Sequence, residues 1–187
     1  MMRRYWKGSL VNIQILICTS LLFLTSTISQ AIIRTVEGTV IEVTNGDALK
    51  VETAEGTKLN IKLYGIDAPE VQRINLTNGL IIKKGQPYGK SSYEVLKAKV
   101  LRRKVKLDIM SIDKCKKMVG IVYLDGRDIN LEMVRGRWAW AYREYLDRPY
   151  ASAYLNAEKE ARGKRSGLWY ERNPQPPWEF RKLKGIR

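Results

Sequence analysis

The sequence predicts an α+β domain: mainly a five-stranded β-barrel, with about three helices. Three observations carry this expectation. Five short stretches are β-branched or alternate between apolar and polar residues, the first three are joined by tight turn signals, and a stretch of helical period separates the third from the fourth. The 187 residues suffice for one proper core and do not require a second. The domain is assigned to residues 32–187, and residues 1–31 are read as a signal peptide.

The leader has a positive start in Arg3, Arg4 and Lys7, a mostly apolar run over 11–24, and a small-x-small end at Ser29-Gln30-Ala31. The run is shorter than the ~20 residues a membrane-spanning helix needs. A secreted or periplasmic, envelope-associated protein is therefore expected, acting as a monomer with no stable membrane insertion after cleavage. Cleavage would remove three positive charges and no acidic ones. Cys18 would leave with the leader and Cys115 would remain alone, which excludes an intrachain disulfide and a cysteine-based zinc site.

The strands follow in order. Residues 35–43 are rich in Val, Ile and Thr and end at Asn45-Gly46-Asp47, a hairpin signal that feeds the second strand, 49–53. Glu55-Gly56 makes the next turn. In the third strand, 58–63, Leu59, Ile61 and Leu63 alternate toward the core while Lys62 points to the opposite face. Residues 71–89 read as a loop, punctuated by Asn78-Gly79 and Gly85-Gln86-Pro87. A helix is expected over 91–101, where Tyr93, Leu96 and Val100 recur at helical spacing. Residues 104–109 and 119–123 supply the fourth and fifth strands, the latter closed by Asp125-Gly126. Helices are expected at 130–135, stopped by Gly136, and at 151–165, with alanines at 151, 153, 157 and 161. Three strands, a helix, two strands and further helices match the partly open barrel of the OB type.

Charge points to the partner. With 34 Lys+Arg against 19 Asp+Glu the formal charge is +15, which suits a polyanion such as DNA or RNA. There is no histidine, so the commonest general base and transition-metal ligand are excluded. Chemistry must run on carboxylates, Lys, Arg, Tyr or a metal held by oxygen. Asp67 and Glu70, where the third strand runs into Leu63-Tyr64-Gly65-Ile66-Asp67-Ala68-Pro69-Glu70, are the first candidates. By themselves they also suit an ordinary turn before a helix. Asp47 sits in the first turn of the meander, which a curled sheet brings toward Asp67. Lys83 and Lys84 suit phosphate contact or a solvated loop. Trp138, Trp140, Tyr142 and Tyr145, interleaved with Arg137, Arg143 and Arg148, offer either stacking faces for bases or core packing. Core packing is the expectation for both tryptophans, and Tyr142 is left open.

Asn45-Gly46-Asp47, the stretch 63–70, Tyr123-Leu124-Asp125-Gly126-Arg127, Gly167-Leu168-Trp169 and Pro177-Trp178-Glu179 together resemble the staphylococcal nuclease (thermonuclease-like) family, from about residue 36 to residue 180. The resemblance implies an exported OB-fold phosphodiesterase that cuts DNA or RNA with one calcium ion. Asp47, Asp67 and the backbone carbonyl of Ala68 would be its oxygen ligands. Glu70 would orient or deprotonate the attacking water. Lys114 and Tyr142 join Lys83 and Lys84 as substrate-binding candidates. The chain departs from the family at two places. The family's phosphate-clamping arginines fall at Lys62 and, in Asp113-Lys114-Cys115-Lys116-Lys117, at Lys117. An ammonium keeps the charge without the planar two-bond fork. Two readings follow: a calcium-dependent nuclease with reduced activity, or a basic OB module that binds nucleic acid without cutting it.

Overall fold

The computed structural model describes residues 32–113 and 116–185. The leader expected over 1–31, its Cys18, and Lys114 and Cys115 lie outside the described residues. In chain order the elements are β1 (Arg34–Asn45), β2 (Ala48–Thr53), β3 (Lys58–Leu63), β4 (Ile66–Asp67), β5 (Arg73–Ile74), β6 (Ile81–Lys83), α1 (Gly89–Val100), β7 (Lys104–Ile112), β8 (Met118–Leu124), β9 (Arg127–Asp128), α2 (Ile129–Arg135), β10 (Trp140–Ala141), α3 (Ala151–Gly163) and α4 (Pro177–Lys184).

β1, β2, β3, β7 and β8 form the barrel. The strand order is β3-β2-β1-β7-β8, and β8 returns to pair with β3 in parallel, Lys62 opposite Val119 and Leu63 opposite Gly120. β1 serves two neighbours: residues 34–39 pair with β7 and residues 38–45 with β2. Register shifts between Val40 and Glu42 and between Val43 and Asn45 bend it enough to turn that corner. Alternation puts Val40, Leu49, Val51, Ile61, Leu63 and Leu107 inside, and α1 covers the core with Leu96 and Val100. Leu59 is only half-buried, because it sits nearer the open end of β3.

The seam where the barrel closes is held by Asn130 of α2. Its amide donates to the carbonyls of Tyr64 and Gly120, both at 3.0 Å, and its oxygen accepts from the Val122 amide at 3.1 Å. Asn130→Leu fills the space and leaves the Tyr64 carbonyl and the Val122 amide short of a partner, at about 1–3 kcal/mol each, while the Gly120 carbonyl keeps the Tyr64 amide. We expect a loss of at least ~2 kcal/mol, read as a Tm lower by roughly 4–8 °C in a thermal melt.

The structure amends the sequence reading in three places. Residues 71–89 are not all loop: β5 and β6 pair as a hairpin whose turn is closed by the Asn75 and Asn78 side chains, which accept from the Thr77 and Leu80 amides. Among the described residues four α-helices stand where about three were expected. The fourth, α4, has Pro177 at its first turn and Gly185, at a left-handed φ of 62°, as its stop. Half of its eight residues are charged and it runs for only about two turns, too short for apolar periodicity to announce it. Helix limits also move, α1 starting at Gly89 and α3 ending at Gly163. Trp140 packs edge-on against Trp169, 5.0 Å between centroids, in a second cluster with Ala161 and Leu168, while Trp138 packs against the main core. Both tryptophans are therefore packing residues, as expected.

Candidate functional site

Three separate devices bring the carboxylates together. The first is the β1–β2 turn. Asp47 follows Gly46, where a Cβ would overlap the Ser92 hydroxyl and Ala68, so glycine lets the turn settle against α1 and the 63–70 stretch. The Leu63 amide then donates to the Asp47 carbonyl at 2.8 Å, and the Ala68 amide to Asp47 Oδ2 at 2.9 Å. The second is a two-residue ladder: Asp67 pairs with Trp140 and Ile66 with Ala141, extended by the Tyr142 amide donating to Gly65 at 2.8 Å. Gly65 has φ of 70°, and a side chain there would run into Leu146. The third is Gln86, whose backbone amide donates to the Glu70 carbonyl at 2.8 Å and whose side-chain oxygen accepts from the Glu70 amide at 3.1 Å. A strand-end turn, a short strand and a loop thus meet at one barrel rim.

Asp47 and Asp67 are 1% exposed and Glu70 3%, so each needs a cation or a hydrogen bond in place of water. Lys62 bonds Asp47 Oδ2 and lies 3.2 Å from Asp67 Oδ1. Lys83 bonds Glu70 Oε2, and the Asn45 amide reaches the same oxygen at 3.5 Å. Arg181 of α4 completes the cluster, donating to Asp67 at 2.7 and 3.1 Å and to Glu70 Oε1 at 2.9 Å. Reading the sequence missed Arg181. It is one of 34 cations and stands more than a hundred residues from its partners, and only its place just after Pro177-Trp178-Glu179 hinted at a role.

Electrostatics follow from these contacts. Burial pushes the Glu70 carboxyl up, but the hydrogen bonds from Lys83 and Arg181 outweigh it and hold the group below its ordinary 4.5. Asp67 is lowered likewise: burial is outweighed by Lys62 and Arg181. For Asp47 burial prevails over the Lys62 ammonium and the carboxyl is pushed up. Burial works against the Lys62 charge, yet the two aspartates dominate and hold its pKa above the ordinary lysine value. Lys62 is therefore a fixed positive charge between two carboxylates.

The remaining candidates are placed differently. Ala68 is fully buried, with its amide on Asp47. Lys84 is exposed beside the site. Lys117 is exposed, its backbone amide tied to Asp113 Oδ1 at 2.8 Å, and it lines a neighbouring groove with Arg73, Tyr93 and Val71 rather than joining the carboxylates. Tyr142 stacks on Trp178 of α4, 5.0 Å between centroids at 10°, and donates to Glu144 at 3.2 Å. The stacked partner comes from the C-terminal segment, so Tyr142 is partly engaged in holding α4.

Among the described residues no three Asp, Glu, His or Cys side chains converge on one point as a ready metal cage. The donor chemistry nevertheless suits a hard cation. The ligands at hand are oxygens, and two of them, Asp47 Oδ1 and Asn45 Oδ1, are buried with no hydrogen-bond partner among the described residues. Two aspartates with an orphaned oxygen, a glutamate held ionised and three cations form a set able to bind a phosphodiester and activate water.

Comparison with known proteins gives the family. The family model described as staphylococcal nuclease homologue matches residues 60–171. An "uncharacterized endonuclease" of Haemophilus influenzae is 31% identical over 177 residues, covering 95% of this chain and 90% of that one. Another from Escherichia coli O157:H7 is 33% identical over 150 residues, covering 80% and 87%. A "micrococcal nuclease" of Shigella flexneri is 30% identical over 154 residues, covering 78% and 80%. With its closed barrel, its rim of carboxylates and these relatives, the chain belongs to the staphylococcal nuclease homologue family.

Proposed function

We propose that the protein is an exported, calcium-dependent nuclease that hydrolyses phosphodiester bonds of DNA or RNA. The observation that carries the reading is the convergence of buried Asp47, Asp67 and Glu70 under a basic rim. A module that only bound nucleic acid would gain little from three acidic groups beside phosphates. The relatives named nuclease and endonuclease support the same reaction class.

Asp47, Asp67 and the Ala68 carbonyl would hold the cation. Bound there, calcium would neutralise charge on the phosphate and help polarise it. Glu70, kept ionised by Lys83 and Arg181, accepts the proton of the attacking water. Lys62 supplies a second positive charge to the phosphate oxygens from the β3 side. Lysine at positions 62 and 117 favoured a non-cutting module, but the arginine that reaches the carboxylates from α4 weakens that alternative. Export rests on the basic, apolar and small-residue order of the leader. No helix among the described residues is long and apolar enough to cross a membrane.

The test is to incubate the purified protein with single-stranded DNA, with calcium and with a chelator. Cleavage that appears with calcium and vanishes with chelation is expected. Salt-sensitive binding without cleavage in calcium would sink the enzyme reading and support the binding module.

A further inference from the structure

The family match ends at residue 171, and α4 lies beyond it, yet α4 sends a side chain into the site. The helix is firmly seated. Pro177 and Phe180 are buried, Trp178 stacks on Tyr142, and the Gln86 amide that flanks Glu70 donates to the Gln175 carbonyl at 3.1 Å. Tyr142 is itself bonded to Gly65, next to the strand that bears Asp67. The residue that α4 presents is thereby fixed relative to both Asp67 and Glu70.

A guanidinium has five N–H donors in one plane. Arg181 spends three: Nη1 on Asp67 Oδ1 and Glu70 Oε1, and Nη2 on Asp67 Oδ2. The Nε–H and the second Nη2–H remain, side by side on one edge, and no described residue accepts from them. The side chain is 26% exposed and Nε is not among the buried polar atoms left without a partner, so this edge is not sealed from a ligand. Two parallel donors match two oxygens of a phosphate. Lys62 has no such edge: it is an ammonium with two of its three donors turned to aspartates. Lys117 does not reach the carboxylates.

Resting on the nuclease reading of this site, we propose that Arg181 is its phosphate-binding arginine: one edge of the guanidinium positions Asp67 and Glu70, and the free edge grips the substrate phosphodiester. α4 thus supplies from the C-terminus the planar fork that Lys62 and Lys117 lack.

The experiment compares the full protein with Arg181→Gln and Arg181→Lys, each checked for native melting. One arm measures kcat and KM on single-stranded DNA with calcium. The other measures calcium-free binding of a short 5′-phosphorylated single strand against salt. Arg181→Gln is expected to lose ~10²–10³ in kcat with a smaller change in KM. Its slope of log affinity on log salt should fall by ~0.7, one phosphate contact on a single strand. Arg181→Lys, which keeps the charge, should hold the slope but recover less than about tenfold of the lost kcat. Wild-type kcat in the lysine variant would overturn the proposal, since charge alone would then suffice. A lost kcat with an unchanged slope in Arg181→Gln would overturn it too, leaving Arg181 only a holder of carboxylates. If the unaltered protein does not cleave, the nuclease reading fails and the binding arm decides alone. A reduced slope then upholds the phosphate contact, and an unchanged slope overturns it.

Discussion

Glu70→Gln lowers calcium-dependent cleavage by ~10²–10⁴ while leaving salt-sensitive binding of nucleic acid in place. The substitution preserves shape, and the amide oxygen still accepts from Lys83 or Arg181, but it cannot take a proton from water. Single-turnover cleavage beside a filter-binding titration checks both halves. A cleavage rate equal to wild type would show that another group activates the water. The variant also reports on acid stability. The folded carboxyl of Glu70 titrates below its ordinary 4.5, because Lys83 and Arg181 outweigh burial. Its contribution is therefore full above that value and is lost as pH falls through the lowered one. Asp67 adds a loss of the same sign, whereas Asp47, whose carboxyl burial pushes up, is relieved by protonation and offsets part of it. Melts between pH 7 and pH 3 are expected to show a shallower acid loss in Glu70→Gln than in wild type.

Lys62→Met makes the fold depend on calcium. Without the ammonium, Asp47 and Asp67, both 1% exposed, face each other with no charge between them. Removing one partner of a buried ion pair typically costs about 3–5 kcal/mol. For a domain of this size that is roughly 6–20 °C in Tm. Arg181 still bonds Asp67, which places the loss mainly on Asp47. Added calcium should restore most of the melting temperature, and by a wider margin than it raises wild type, because the cation binds the folded state and takes over the missing charge. An unchanged melt, or no calcium-dependent recovery, would mean that the two aspartates tolerate each other and do not form a cation site.

Local signals were enough for the barrel. The Val/Ile/Thr stretches, Asn45-Gly46-Asp47 and Glu55-Gly56 report backbone preferences that act within a few residues, and the strands stand where they pointed. Asp47, Asp67 and Glu70 were readable because they lie at strand ends and turns, where the register of a meander fixes their neighbours. Lys117 was placed differently from the carboxylates. The family resemblance put it at a phosphate-clamping position, and in the structure its backbone amide is held by Asp113 and it lines a neighbouring groove.

By itself the sequence determined the fold class, the basic character and the exclusion of histidine chemistry, all of which follow from composition or short-range pattern, while the three carboxylates became candidates for one site only with the family resemblance added to their positions. Only the tertiary structure decided which cations neutralise those carboxylates. Among 34 candidates, Lys62, Lys83 and Arg181 are selected by barrel closure, by the β5–β6 hairpin and by the seating of α4. The physical reason is range: a hairpin is written in adjacent residues, whereas an ion pair across more than a hundred positions exists only once packing has carried a short C-terminal helix onto the barrel rim.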